Sequence, residues 1–94
     1  RFVICTKNPA WDQTTFIITQ SMIGADMDVL MEVFDLSGRQ LYKREMKGAT
    51  TNGAYVLNWN LSLSGGSFLN TGVYLCRFTV GGVSKTVKLV ILKQ

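Results

Sequence analysis

Along most of this chain apolar side chains recur at every second position, and the recurrence breaks where glycine, asparagine and serine gather. A period of two belongs to strands, whose successive side chains leave opposite faces of a sheet. The stretch that organises the rest is Leu69 to Val80. Leu69-Asn70-Thr71-Gly72 reads as a turn. Tyr74, Cys76, Phe78 and Val80 then share one face, and Val73, Leu75, Arg77 and Thr79 the other. Its apolar content predicts a central strand with a neighbour on each edge. Gly72-Val73-Tyr74-Leu75-Cys76 also has the form of a tyrosine corner, in which a Tyr near the start of a late strand hydrogen-bonds back to the chain a few residues upstream. The alternative for Tyr74 is an ordinary core aromatic.

The other elements follow in order. Phe2-Val3-Ile4-Cys5 is a short apolar run ended by Lys7-Asn8-Pro9, where the residue before proline is turned away from helix. Gln13 to Thr19 places Phe16 and Ile18 on one face and Thr15, Ile17 and Thr19 on the other, with a β-branched content that favours strand. Gly24-Ala25-Asp26 reads as a loop. Val29 to Phe34 is a strand with Val29, Met31 and Val33 inward and Glu32 outward. Asp35-Leu36-Ser37-Gly38 suits a type I turn, with Asp35 at its first position and Gly38 able to take the left-handed conformation that follows. Arg39 to Met46 returns as the partner strand of this hairpin, with Leu41 inward. Gly48 to Gly53 is a polar loop. Ala54 to Asn60 is a strand that turns Tyr55, Leu57 and Trp59 to one face. Trp59 reads as a core anchor, since one buried Trp removes about 200 Å² from water. Ser62 to Gly66 reads as a flexible loop. Gly81-Gly82 signals a two-residue hairpin, and Ser84 to Leu92 is the last strand, with Val87, Leu89 and Ile91 on one side. Seven strands with frequent turns and no helical period predict an all-β fold, a seven-stranded antiparallel β-sandwich.

The 94 residues fit one domain with one core, covering residues 1–94. Arg1 starts inside an expected strand, so the chain reads as a piece of a larger protein. No apolar run approaches the roughly 18 residues of a membrane helix. The net charge is +4, and all six acids lie at or before Glu45, leaving Lys47, Arg77, Lys85, Lys88 and Lys93 beyond it. The basic residues are sparse and the aromatics alternate into strands, which is not the exposed basic and aromatic surface of a nucleic-acid binder. Cys5 and Cys76 are the only cysteines, too few for a disulfide scaffold, and are expected as buried thiols. The chain has no histidine, which removes Ser-His-Asp and Cys-His catalysis and the usual zinc ligands. Asp26 and Asp28 lack the further oxygen ligands of a calcium site and read as a solvated loop. Nothing beside either cysteine would activate it as a nucleophile. The residues point to a non-catalytic domain with no cofactor and no metal.

Taken in order, several motifs resemble one family. They are Asn8-Pro9, a Thr-rich strand, Val33-Phe34-Asp35-Leu36-Ser37-Gly38-Arg39, Thr71-Gly72-Val73-Tyr74-Leu75 and Lys85-Thr86-Val87-Lys88-Leu89-Val90-Ile91-Leu92. The series resembles the C-terminal sorting domain of cargo proteins of the type IX secretion system, which carries proteins across the outer membrane of Bacteroidetes-type bacteria. Asp26-Met27-Asp28-Val29, Asn58-Trp59-Asn60-Leu61 and Leu69-Asn70-Thr71-Gly72-Val73-Tyr74 look most like the C-terminal domain of that system's gingipain-like surface sortase, a cysteine peptidase. The catalytic residues of such an enzyme would lie upstream, so Cys5 and Cys76 are not given that role. The resemblance implies an immunoglobulin-like sandwich that acts as an export signal, recognised at the periplasmic face of the outer membrane and delivered to the cell surface. The implied partners are translocon and shuttle proteins, with a sortase and an anionic lipopolysaccharide as further candidates. The resemblance also implies that a sortase removes the domain from ordinary cargo, whereas the sortase's own copy looks to be retained; which of the two applies to this chain stays open. The implied signal strand carries Lys85, Thr86, Val87, Lys88, Leu89 and Lys93, offered as an edge to a receptor. The competing role for those lysines is to guard an exposed edge against aggregation. Asp35, Gly38, Gly72, Tyr74 and Trp59 are the structural motif. Oligomeric state is left open.

Two other readings compete. One is a generic immunoglobulin-like structural or adhesion module packed beside a catalytic domain of a surface protein. The other is a carbohydrate-binding sandwich, which needs a row of exposed aromatics. Trp11, Tyr42 and Phe68 are its candidates.

Overall fold

The computed structural model describes residues 3–19, 28–48 and 54–93. Among these residues seven strands form: β1 (Val3–Cys5), β2 (Thr14–Thr19), β3 (Val29–Phe34), β4 (Gln40–Met46), β5 (Ala54–Trp59), β6 (Gly72–Val80) and β7 (Val83–Ile91). They pair antiparallel into a three-stranded sheet, β1-β2-β5, and a four-stranded sheet, β4-β3-β6-β7. The fold is the expected all-β, immunoglobulin-like sandwich. The expected loop at Gly24 to Asp26 and residues 49–53 of the polar loop lie outside the described residues.

The alternation read from the sequence sets which face is buried. β2 and β3 both alternate buried and half-buried positions along their whole length. Phe16 and Ile18 of β2, Met31 and Val33 of β3, and Cys76 and Phe78 of β6 are fully buried. The Phe16 and Phe78 rings meet between the sheets, centroids 4.8 Å apart and tilted by 56°. β6 lies between β3 and β7, as its apolar faces predict.

Two turns form for the reasons expected. The Asp35 carboxylate accepts the Ser37 N–H at 3.0 Å, the Ser37 hydroxyl at 2.6 Å and the Arg39 N–H at 3.0 Å. Gly38 donates its N–H to the Asp35 carbonyl and sits at φ +92°, which a side chain would oppose. Gly81 and Gly82 take φ +57° and +80°, the pair of positive values that a two-residue hairpin turn requires.

Three expectations change. The first concerns β4, where Leu41 was to be the inward residue. A register shift between Val33 and Phe34 leaves Leu41 without a partner and puts Tyr42 opposite Val33. Both side chains are half-buried, and Tyr42 stacks on Trp59 at 5.3 Å and 23°. The second concerns Ser62 to Gly66, expected as a flexible loop. It is a small hydrogen-bonded hairpin: Leu63 donates to the Ser67 carbonyl at 2.7 Å, Gly66 to the Leu63 carbonyl at 3.0 Å, and Leu69 to the Leu61 carbonyl at 3.0 Å. Its entry is held by the Trp59 indole, which donates to the Ser62 carbonyl at 3.1 Å, and by Asn60, which accepts the Ser62 N–H at 3.1 Å. Leu61 is fixed there at φ +67° with its side chain fully buried. The left-handed backbone costs about 1–2 kcal/mol, and burial of a leucine, worth about 1.5–3 kcal/mol, offsets it.

The third concerns the thiols. Cys76 is buried as expected, but Cys5 is half-buried, and both are unpaired. The Cys5 sulfur lies 3.1 Å from the Thr14 hydroxyl, which itself donates to the Lys7 carbonyl at 2.7 Å. Burial, with a smaller push from Cys5, raises the Cys76 thiol to about 12.

Candidate functional site

The last strand carries the implied signal residues, and the structure sorts them. Lys85, Thr86, Lys88 and Lys93 are exposed, Val87 is half-buried against the core, and Leu89 is fully buried. Leu89 therefore holds the strand in place and presents nothing to a partner while the domain is folded. Lys85 pairs with Phe78 and Lys88 with Leu75, so these two lysines leave opposite faces of the sheet. Lys85 lies on the core-facing side yet is exposed, as is its neighbour Val83. The first half of β7 thus extends beyond the cover of the other sheet. Neither Lys85 nor Lys88 has an ion-pair partner among the described residues. Arg77, by contrast, is committed: it binds Glu32 at 2.9 Å and lies 5.0 Å over the Phe34 ring.

β7 is an edge strand, bonded to β6 on one side only. Its C-terminal half is not a free edge, contrary to expectation. The Asn8 side-chain amide donates to the Lys88 carbonyl at 2.8 Å and accepts the Val90 N–H at 2.9 Å. Ala10 donates its N–H to the Val90 carbonyl at 2.9 Å and accepts the Leu92 N–H at 2.8 Å, in a parallel bridge with Ile91. A primary amide has the donor and acceptor of a peptide group, so Asn8 extends this pairing by one step. Sequence reasoning took Asn8-Pro9 as a turn and missed this role. Nothing local in the sequence signals a contact 80 positions away.

The structural motif residues stand where the pattern put them. The Tyr74 hydroxyl donates to the Asn70 carbonyl at 2.9 Å, which is the tyrosine corner. A methyl added at Gly72 would meet the Tyr74 ring at 3.4 Å. Trp59 is buried, and Asp35 and Gly38 build the β3–β4 turn. Asp28, one of the paired loop acids, accepts the Gly48 N–H at 2.7 Å and faces Lys47 at 3.5 Å. No group that would hold a metal occurs among the described residues. Asp26 lies outside them.

The aromatic row needed for sugar stacking does not assemble. Tyr42 stacks on Trp59. Trp11 and Phe68 are exposed, and each lies under a lysine, Lys7 at 5.1 Å and Lys93 at 5.5 Å.

Residues 8–92 match the family described as the secretion system C-terminal sorting domain. The chain belongs to that family. It is a sorting-signal domain of the type IX system, and a non-catalytic one. The matched span opens at the Asn8 clamp and closes one residue past β7. The fold is similar to part of dimeric latent PorU from Porphyromonas gingivalis, with a TM-score of 0.79 and 25% identity over 98% of this chain and 9% of that one. It is also similar to part of PorZ, an essential bacterial surface component of the type-IX secretion system of Porphyromonas gingivalis, with a TM-score of 0.61 and 21% identity over 97% of this chain and 11% of that one. The sorting domain thus spans about a tenth of either solved chain. No curated protein sequence matches it.

Proposed function

We propose that this sorting domain is read by the outer-membrane translocon and shuttle proteins of the type IX system through the exposed half of β7. It carries the protein it belongs to through the periplasm to the outer membrane and cell surface. The observation that supports this reading most is the character of β7 itself: a long edge strand with exposed Lys85 and Lys88, neither in an ion pair among the described residues, and no acid near it in sequence. Acidic surfaces complement such a strand and would set its register on a receptor. A sortase and an anionic lipopolysaccharide would be met after passage.

The test is charge reversal. Deleting residues 85–94 would strip Leu89 and Ile91 from the core, so a truncated domain confuses signal with folding. Lys85→Glu with Lys88→Glu changes only exposed groups and should leave the fold intact. In a host carrying the type IX machinery, this variant should remain in the periplasm, whereas Lys43→Ala should be exported normally. Export of the reversed variant at the wild-type level would sink this reading.

One observation favours a second role. Ile4, Ile17 and Val56 are directly cross-strand on the outer face of the β1-β2-β5 sheet, an apolar row with Ile4 and Val56 exposed. Such a row suits a domain that also packs beside a neighbouring one. Its loss on Val56→Lys would weaken that packing without touching β7.

A further inference from the structure

We propose that β7 binds its partner by strand addition, through main-chain hydrogen bonds along Ser84 to Lys88, and that the added segment is an extended acidic peptide of the partner protein. This rests on the sorting-signal reading for where the partner is met. In a strand, alternate residues direct their N–H and C=O to opposite edges. The bonds to Asn8 and Ala10 involve Lys88, Val90 and Leu92, so the even-numbered residues of β7 face away from β6. By the same alternation the N–H and C=O of Ser84 and Thr86, and the N–H of Lys88, also face outward. None of them has a main-chain partner among the described residues.

This window has firm limits. The Gly81-Gly82 turn closes one end. Asn8 closes the other by occupying the Lys88 carbonyl and the Val90 N–H. Between them lies an edge of about 14 Å at roughly 3.4 Å per residue, room for a short extended segment. Val83, Ser84, Lys85 and Thr86 are exposed, so an incoming strand meets no cover.

The side chains specify the occupant. Lys85 and Lys88 leave opposite faces. An added strand alternates its own side chains in the same way, so its carboxylates must be an odd number of positions apart to meet both. An inward-facing lysine on an exposed edge opposes pairing between identical copies, and an acidic strand cancels it.

Thr86→Pro tests the mode of binding. It deletes one outward N–H and no bond to β6, and proline is tolerated at such an edge. Thr86→Ala keeps the N–H and removes the side chain. In a type IX host, Thr86→Pro should lower export at least tenfold with a melting temperature within a few degrees of wild type, and Thr86→Ala should export normally. If Thr86→Pro does not fold, Ser84→Pro makes the same deletion and is read in its place. A folded proline variant exported like wild type would overturn strand addition while leaving the sorting reading intact. Loss of export with Thr86→Ala as well would assign recognition to side chains, and would also overturn it. A wild-type chain that dimerises in sedimentation when Thr86→Pro does not would identify a second copy as the occupant and overturn the acidic partner. Failure of the wild-type chain itself to be exported would overturn both readings.

Discussion

The Tyr74 hydroxyl bonds the Asn70 carbonyl four residues upstream, where the chain crosses from the small hairpin into β6. Tyr74→Phe deletes that bond and keeps the ring. A net hydrogen bond of this kind is worth about 1 kcal/mol, which lowers the melting temperature of a domain this size by roughly 4–8 °C. A thermal melt showing no shift would mean the corner does not hold this crossing. Tyr74 was legible because a tyrosine corner is a local pattern, glycine before and cysteine after, at a strand start. Asn8 was not, because its amide pairs with a strand at the other end of the chain. Leu61 was not, because its left-handed backbone follows from the Trp59 and Asn60 contacts around Ser62 rather than from leucine's own preference.

At the scale of elements, the hairpins and faces could be read, and the departures from regularity could not. The β3–β4 hairpin was visible in Asp35-Leu36-Ser37-Gly38, yet the bulge that moves Tyr42 opposite Val33 leaves no mark in an alternation that tolerates either residue inside. The small 61–69 hairpin was hidden by its serines and glycines, which suit loops and tight turns alike. The Asp35 turn carries a pH signature. Bonds from the Ser37 hydroxyl and from the Arg39 and Ser37 N–H groups hold the Asp35 carboxyl below the usual range, and the Gly48 N–H does the same for Asp28. A carboxyl depressed in the folded state binds fewer protons there than in the unfolded chain. Its stabilising contribution is therefore complete above the ordinary value of roughly pH 4 and is lost as pH falls through the folded value. The urea midpoint should drop between pH 6 and pH 3, and the drop should be smaller in a variant carrying Asp28→Asn and Asp35→Asn. An equal drop in both proteins would remove these turns from the acid response.

For the whole molecule, the even spacing of apolar residues was enough to give two sheets and one core, because each strand buries one face. What the pattern could not show is how the two ends of the chain meet. The segment from Asn8 to Ala10 pairs with β7 and shields half of its edge, leaving the other half exposed. That arrangement gives a sorting domain a stable sandwich and a short exposed strand in one unit. The most direct measurement fuses this chain to the C-terminus of a folded reporter, expresses it in a host with the type IX machinery, and assays the reporter outside the cell. A sufficient export signal puts the reporter on the surface or in the medium. Reporter held in the periplasm beside a folded domain would contradict it.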